Sequence, residues 1–301
     1  MTISTNNIRN LLRPGLASVF GSYDDYPAMW TEAYTKHSSK MAFELEVEMK
    51  MLGLASIQPE GSPTAMDTMG QRVVSKYVHR YVSIGFQITR QSQKDNLYQS
   101  QFPLMAKSLR KSMLAAKEVL GASLFLNGFN AAYPIGDGQS LFSNSHPIDG
   151  GTYANTFAVQ ADLNEASLEA AIIGVQQFRD WAGILTKTNP VKLWIPSQLQ
   201  FTASRLLNSE FRVSTPNNDI NAIVHGNYVP QGYKVNHYLN SAPNAWYLLT
   251  DAENAFKMYQ REELETDTYA DFSTGNILCK AIERYSFGVS NPRGCFASSG
   301  A

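Results

Sequence analysis

FELEVEMKM, residues 43–51, alternates without interruption: Phe43, Leu45, Val47, Met49 and Met51 fall on one side, Glu44, Glu46, Glu48 and Lys50 on the other. A period of two turns every second side chain to the same face, so the stretch reads as a half-buried β-strand and not as a helix. So regular an apolar stripe needs a surface to cover it, and where that surface lies decides the fold.

The flanking residues narrow the choice. GLASIQPEGSPTAMDTMG follows, in which Gly53, Pro59, Gly61, Pro63 and Gly70 mark a turn-rich tip. A second extended run spans 72–90, with Val74, Val78, Val82, Ile84, Phe86 and Ile88 expected on one face and Lys76 and Arg80 interrupting it near the tip. Straight, that run would reach roughly 60 Å. Two long strands joined by a tip form a ribbon, and an isolated ribbon is at best marginally stable in water. Folding back onto its own chain would press Lys76, Arg80 and the three glutamates against a core. Packing across a neighbouring subunit suits the charges better, with Glu44, Glu46 and Glu48 pairing between copies with Arg72, Lys76 and Arg80.

Beyond the ribbon the period changes. Over 101–127, Phe102, Met105, Leu109, Met113, Ala116, Leu120 and Leu124 recur every three or four residues, which predicts a long amphipathic helix with Lys107, Arg110, Lys111 and Lys117 on a solvated face. Residues 134–155 read as a loop. A helix is expected over 165–181, with Asp162 and Glu165 at capping-box spacing and Gly183 as its stop. The strand VKLWIP, a helix after Ser197 and the strands YKVNHYL, AWYLLTD, AFKMYQRE and ILCKAIERYSFGV complete the pattern. Strands and helices mix without regular βαβ alternation, which points to an α+β fold.

Composition excludes several classes of function. The 301 residues are 44% hydrophobic and 17% charged with a net charge of -1, a globular balance without the basic excess of a protein that coats nucleic acid. No leader pattern and no apolar run near the roughly 18 residues of a membrane span occur, so a protein made in the cytoplasm and not secreted is expected. Cys279 and Cys295 are too few for a disulfide scaffold or a four-ligand zinc site and read as reduced, buried thiols. Residues 1–23 hold Arg9 and Arg13 and no acid, the pattern of an arm lying on another surface; the two arginines pair with acids of another subunit or, alternatively, touch phosphates.

Catalytic motifs are missing. There is no GxSxG elbow, no GxxxxGK[ST] loop and no HExxH helix, and GDGQSL carries Leu141 where a dinucleotide fingerprint needs its third glycine. The loop with Asp137, Ser143, Ser145, His146 and Asp149 is the one catalytic candidate, as a hydrolase triad or a metal site. A His before Pro in a Gly-rich loop more often caps a turn, so this loop is read as structural. His37, His79, His225 and His237 show no ligand spacing, and Trp30, Trp181, Trp194 and Trp246 sit among apolar neighbours as core residues do.

The order of arm, two-stranded loop, long helix and a mixed domain returning to long strands resembles the tailed-bacteriophage major capsid protein of the Hong Kong 97 fold, and within it the Mu-like major head subunit family. GLASVFGSY, GFQITRQSQKDNLY, GDGQSLFSNSHP, AWYLLTD and ERYSFGVSNPRGCF carry the likeness across almost the whole chain. The resemblance implies an N-terminal arm and connector (1–40), an extended loop (41–91), a peripheral domain (92–130 and 246–290) and an axial domain (131–245 and 291–301). It implies a non-enzymatic, cofactor-free protein that forms the pentamers and hexamers of an icosahedral shell around double-stranded DNA. Its partners would be itself, neighbouring capsomers, separate scaffold and portal proteins, and DNA through weak or indirect contact, with no membrane; it would be assembled in the bacterial cytoplasm and reside in the virion. Phe43, Glu44, Leu45, Glu46, Val47, Glu48, Arg72, Lys76 and Arg80 would make extended-loop contacts and Arg9 and Arg13 arm contacts. Neither Lys50 nor Lys76 stands at a matching tip position for covalent crosslinking, which is not expected.

Overall fold

The extended run over 72–90 is not one strand: it breaks at His79 and its halves join different sheets. A computed structural model describes residues 27–95, 98–212 and 219–301, so Arg9 and Arg13 lie outside the described residues. Its first strands are β1 (Thr35–Ser38), β2 (Phe43–Lys50), β3 (Gly70–Val78) and β4 (Arg80–Ile88). β2 and β3 pair only with each other, antiparallel, as the ribbon. β4 instead pairs antiparallel with a strand from near the end of the chain.

Helices α1 (Arg90–Lys94) and α2 (Tyr98–Leu126) follow, then a small hairpin of β5 (His146–Ile148) and β6 (Gly151–Tyr153) within the expected loop. Helix α3 (Glu165–Gln176), β7 (Pro190–Ile195), helices α4 (Gln200–Asn208) and α5 (Ala222–His225), β8 (Tyr233–Val235), β9 (Trp246–Thr250), β10 (Phe256–Ala270), β11 (Ile277–Val289) and β12 (Cys295–Ser298) complete the chain.

Two four-stranded sheets organise these elements. The first sheet runs β1-β10-β11-β4, built on the 15-residue β10 and the 13-residue β11, with β1 added in parallel at one edge. Residues expected in the connector and in the extended loop are therefore strands of this body. Helix α2, 29 residues and about 44 Å long, lies across it. The buried face of α2 is Ala106, Leu109, Met113, Lys117, Gly121 and Phe125, at three- and four-residue steps. Only Leu109 and Met113 of that face were expected. Lys117, expected in solvent, is buried and donates to Glu283 and to Gln260 Oε1 at 3.5 Å; the Gln260 amide in turn donates to the same Glu283 oxygen at 2.8 Å. The strand alternation Ile277, Cys279, Ala281, Glu283, Tyr285 turns that glutamate toward the helix, which supplies the one counter-charge a buried lysine needs there.

The second sheet runs β12-β9-β7-β8. Trp246–Thr250 thus lies in this sheet, apart from the long strands it was expected to join, which start at Phe256. Leu193, Ile195, Trp246, Leu248 and Phe296 pack against Leu168, Ala171, Ile172 and Val175 of α3. The cap of α3 is Asn164, which accepts from Ser167 N while Ser167 Oγ accepts from Asn164 N, two residues beyond the expected Asp162 and Glu165. Trp194 and Trp246 are fully buried, as expected of core residues, and both cysteines are buried free thiols.

Candidate assembly interface

The ribbon is oriented opposite to its apparent pattern. The register sets Phe43 against Val78, Leu45 against Lys76 and Val47 against Val74, and all of these side chains face outward. Leu45 is 53% exposed and Val78 58%; Phe43, Val47, Met49 and Val74 join them in one apolar face across both strands. Lys76 stands over the Phe43 ring at 4.8 Å and Arg80 is exposed at the start of β4. The inward face consists of the glutamates of β2 and of Val73, Ser75 and Tyr77 of β3. Tyr77 fits because Gly288 lies beneath it, where a Cβ would stand 2.5 Å from the ring.

This inward face is held by its own chain. The expected pairing of Glu44, Glu46 and Glu48 between copies is therefore corrected: these acids are occupied within the subunit. Glu44 accepts from Ser39 Oγ at 2.6 Å. Glu46 accepts from Lys257 Nζ at 2.6 and 2.7 Å, from Ser290 and from the Tyr259 hydroxyl. Burial alone would raise Glu46, but the hydrogen bonds from Lys257, Ser290 and Tyr259 and the Lys257 charge outweigh it and hold the carboxyl below its usual range.

Glu48 meets Arg293, whose Nη1 lies 3.3 Å from it. The Arg293 guanidinium is stacked between the rings of Tyr153 and Trp181, at 4.7 and 4.6 Å, with its Nε donating to Arg179 O. Burial raises Glu48 more than Arg293 and the Trp181 N–H lower it. Nearer the tip, Lys50 Nζ lies 2.5 Å from Asp149 and Arg72 3.9 Å from the same carboxylate.

The rival site around His146 is sealed. The imidazole has no exposure; its Nδ1 lies 2.6 Å from Asp137 Oδ2 and its Nε2 3.1 Å from Asn155 Oδ1. Asn155 Nδ2 donates to Leu141 O and Pro292 O, which fixes its Oδ1 toward the ring. Ser143 and Ser145 bond to each other at 3.2 Å, and Asp149 is taken by Lys50. With both ring nitrogens engaged and no path to solvent, the constellation fastens the loop to the segment before β12. Among the described residues no cluster of His, Cys, Asp and Glu could hold a metal ion, and no helix is long and apolar enough to cross a membrane.

A family model of phage capsid proteins matches residues 73–298, which contain α2, every strand of both four-stranded sheets except β1, and the Arg293 seat. The chain belongs to the phage capsid protein family. Solved structures agree in fold. A chain of Mycobacterium phage Che8 is 10% identical, with a TM-score of 0.57 over 91% of this chain and 93% of that one. A chain of the procapsid of bacteriophage JBD30 is 14% identical, with a TM-score of 0.55 over 98% and 76%. A chain of the capsid of Myoviridae phage XM1 is 10% identical, with a TM-score of 0.54 over 91% and 92%. Comparison with curated proteins returned no match. This is a major capsid protein of the Hong Kong 97 fold, and its place is the capsid of the virion. The α+β architecture expected from the sequence is the one found.

Proposed function

We propose that the outward apolar face of the ribbon is the surface through which one capsid subunit covers its neighbour. The observation that carries this reading is the division of labour across β2: the charged face is neutralised by Lys257, Ser290 and Arg293 of the same chain, while Phe43, Leu45, Val47 and Met49 stay in solvent. Soluble monomers rarely expose a contiguous apolar patch of that kind unless something binds it, and at about 25 cal/mol per Å² it would supply most of the contact energy. Lys76 rises from within the patch and Arg80 lies beyond its Val78 end, and exposed charges of this kind set register more than strength.

In this reading the subunits form pentamers and hexamers that close an icosahedral shell around double-stranded DNA, with separate scaffold and portal proteins, assembled in the host cytoplasm. Near-neutral net charge leaves packaged DNA weakly held. The ribbon is the mobile element (43–78), the peripheral domain is the β1-β10-β11-β4 sheet with α2, and the axial domain is the β12-β9-β7-β8 sheet with α3. The motifs over 85–98 and 283–296 favour placement among the Mu-like head subunits. The role is structural and not enzymatic, since the one catalytic candidate is buried at His146.

Placing charges on the outer face tests the proposal. Leu45→Asp combined with Val47→Asp should leave a soluble subunit with unchanged thermal unfolding, because both side chains are already in solvent, yet abolish shells in electron micrographs. Normal shells from that variant would overturn it.

A further inference from the structure

One residue separates the ribbon strand β3 from the body strand β4. It is His79, 6% exposed, and its ring joins both sides of the break. Nε2 lies 3.0 Å from Ser39 Oγ, at the junction of β1 and β2, and Nδ1 lies 3.0 Å from Ser286 Oγ on β11. Ser39 spends its only hydroxyl proton on the Glu44 carboxylate at 2.6 Å, so toward His79 it must accept. Nε2 therefore carries the ring proton, and Nδ1 accepts from Ser286. This is the proton order of a neutral imidazole.

The surroundings oppose a second proton. Arg261 and Tyr259 of β10 and Arg284 of β11 face the ring, the Tyr259 ring at 6.5 Å, and Glu44 of β2 is the acid nearby, already engaged by Ser39. Burial, more than the two arginines, lowers the imidazole, and Glu44 offsets this in part.

We propose that His79 is an acid-sensitive hinge pin: neutral, it fixes the angle between ribbon and peripheral sheet, and protonated, it releases the ribbon to swing about residues 78–80. Adding a proton at Nδ1 turns the Ser286 hydroxyl from donor to acceptor and puts a buried cation in the field of Arg261 and Arg284, which opposes the docked state. Opening the hinge lets water reach the ring. A histidine lowered in the docked state takes up its proton more readily once open, so docking is fully favoured above the ordinary histidine range and weakens as pH falls below about 6.5. The effect concerns one subunit and is independent of what covers the ribbon's outer face.

The test places spin labels on Lys76→Cys in the ribbon and Glu253→Cys in the body of the unassembled protein, whose native cysteines Cys279 and Cys295 are buried. Pulsed electron resonance from pH 8 to pH 5 should give a single distance at high pH and a second population growing below about 6.5. His79→Gln, which keeps a donor but takes up no proton, should abolish that growth. An invariant distance would overturn the proposal, as would growth that persists in His79→Gln and so belongs to Glu48 or Glu118. Should His79→Gln fail to fold, nuclear magnetic resonance of the native His79 ring decides: its titration must coincide with the distance change, and a separate midpoint refutes the hinge.

Discussion

The ribbon and the spine helix α2 are both laid on the same long strands, yet their seams are made oppositely. Under α2 the contact is mostly apolar, with Leu109, Met113 and Phe125 against Ala281, Val82 and Tyr247, and the Lys117–Glu283–Gln260 cluster is a buried polar insertion in it. Under the ribbon, carboxylates meet Lys257, Ser290 and Arg293, and the apolar residues of β2 point away. The helix seam depends on excluded water and is suited to permanence. The ribbon seam exchanges one set of hydrogen bonds for another, so each contact contributes modestly and can be remade. The element proposed to contact a neighbour is held by the seam that is easier to reopen.

The largest way to break this contrast lies under the helix. Glu283→Ala leaves Lys117 buried without its counter-charge, and we expect a loss of about 3–5 kcal/mol in denaturant unfolding. Glu46→Ala removes the acceptor of three donors in a partly wet seam, and the expected loss is smaller, about 1–3 kcal/mol by the same measurement. Were the ribbon change as costly as the helix one, the two seams would not differ in kind.

The smallest effect sharpens the comparison through pH. Glu118 of α2 accepts from Met29 N at 2.8 Å and Trp30 N at 3.0 Å, tying the entering chain to the helix. Burial pushes its carboxyl up to about 7, against the lowering by those two N–H groups and Lys117. The folded state thus keeps a proton that the unfolded chain loses near 4.5, so this group makes stability fall as pH rises from about 4.5 to 7. Glu118→Gln should flatten that part of the stability profile in thermal unfolding measured across the range.

Period-two alternation made β2 legible, and period three to four made α2 legible, because both patterns arise from the backbone's own geometry. The direction in which the β2 stripe faces was not legible. Glu46 and Glu48 read as acids that pair with a neighbouring copy until Lys257 and Arg293, more than 200 residues away, are placed beneath them. Lys117 was misread for a related reason: a lone lysine on a helix is solvated by default, although Glu283, out of place on an otherwise apolar strand face, was a visible sign of a buried partner. The break at His79 had a signal too, since Val73, Ser75, Tyr77 and His79 form the buried set, opposite in parity to the valines that drew attention. His146, expected to cap a turn, instead holds the side chains of Asp137 and Asn155, and the partner Asn155 was missed because amides carry no spacing rule.

The distance along the chain between the ribbon and its seat is also a matter of time. Glu48 leaves the ribosome 245 residues ahead of Arg293. At about 5–20 residues per second the interval is roughly 10–50 s. Throughout that interval the nascent ribbon has neither the seat for its acids nor the neighbour for its apolar face, and β12, the strand that closes the axial sheet, does not yet exist. A growing subunit is therefore unable to present a seated ribbon until its final strands have been made, which keeps half-finished chains out of the shell.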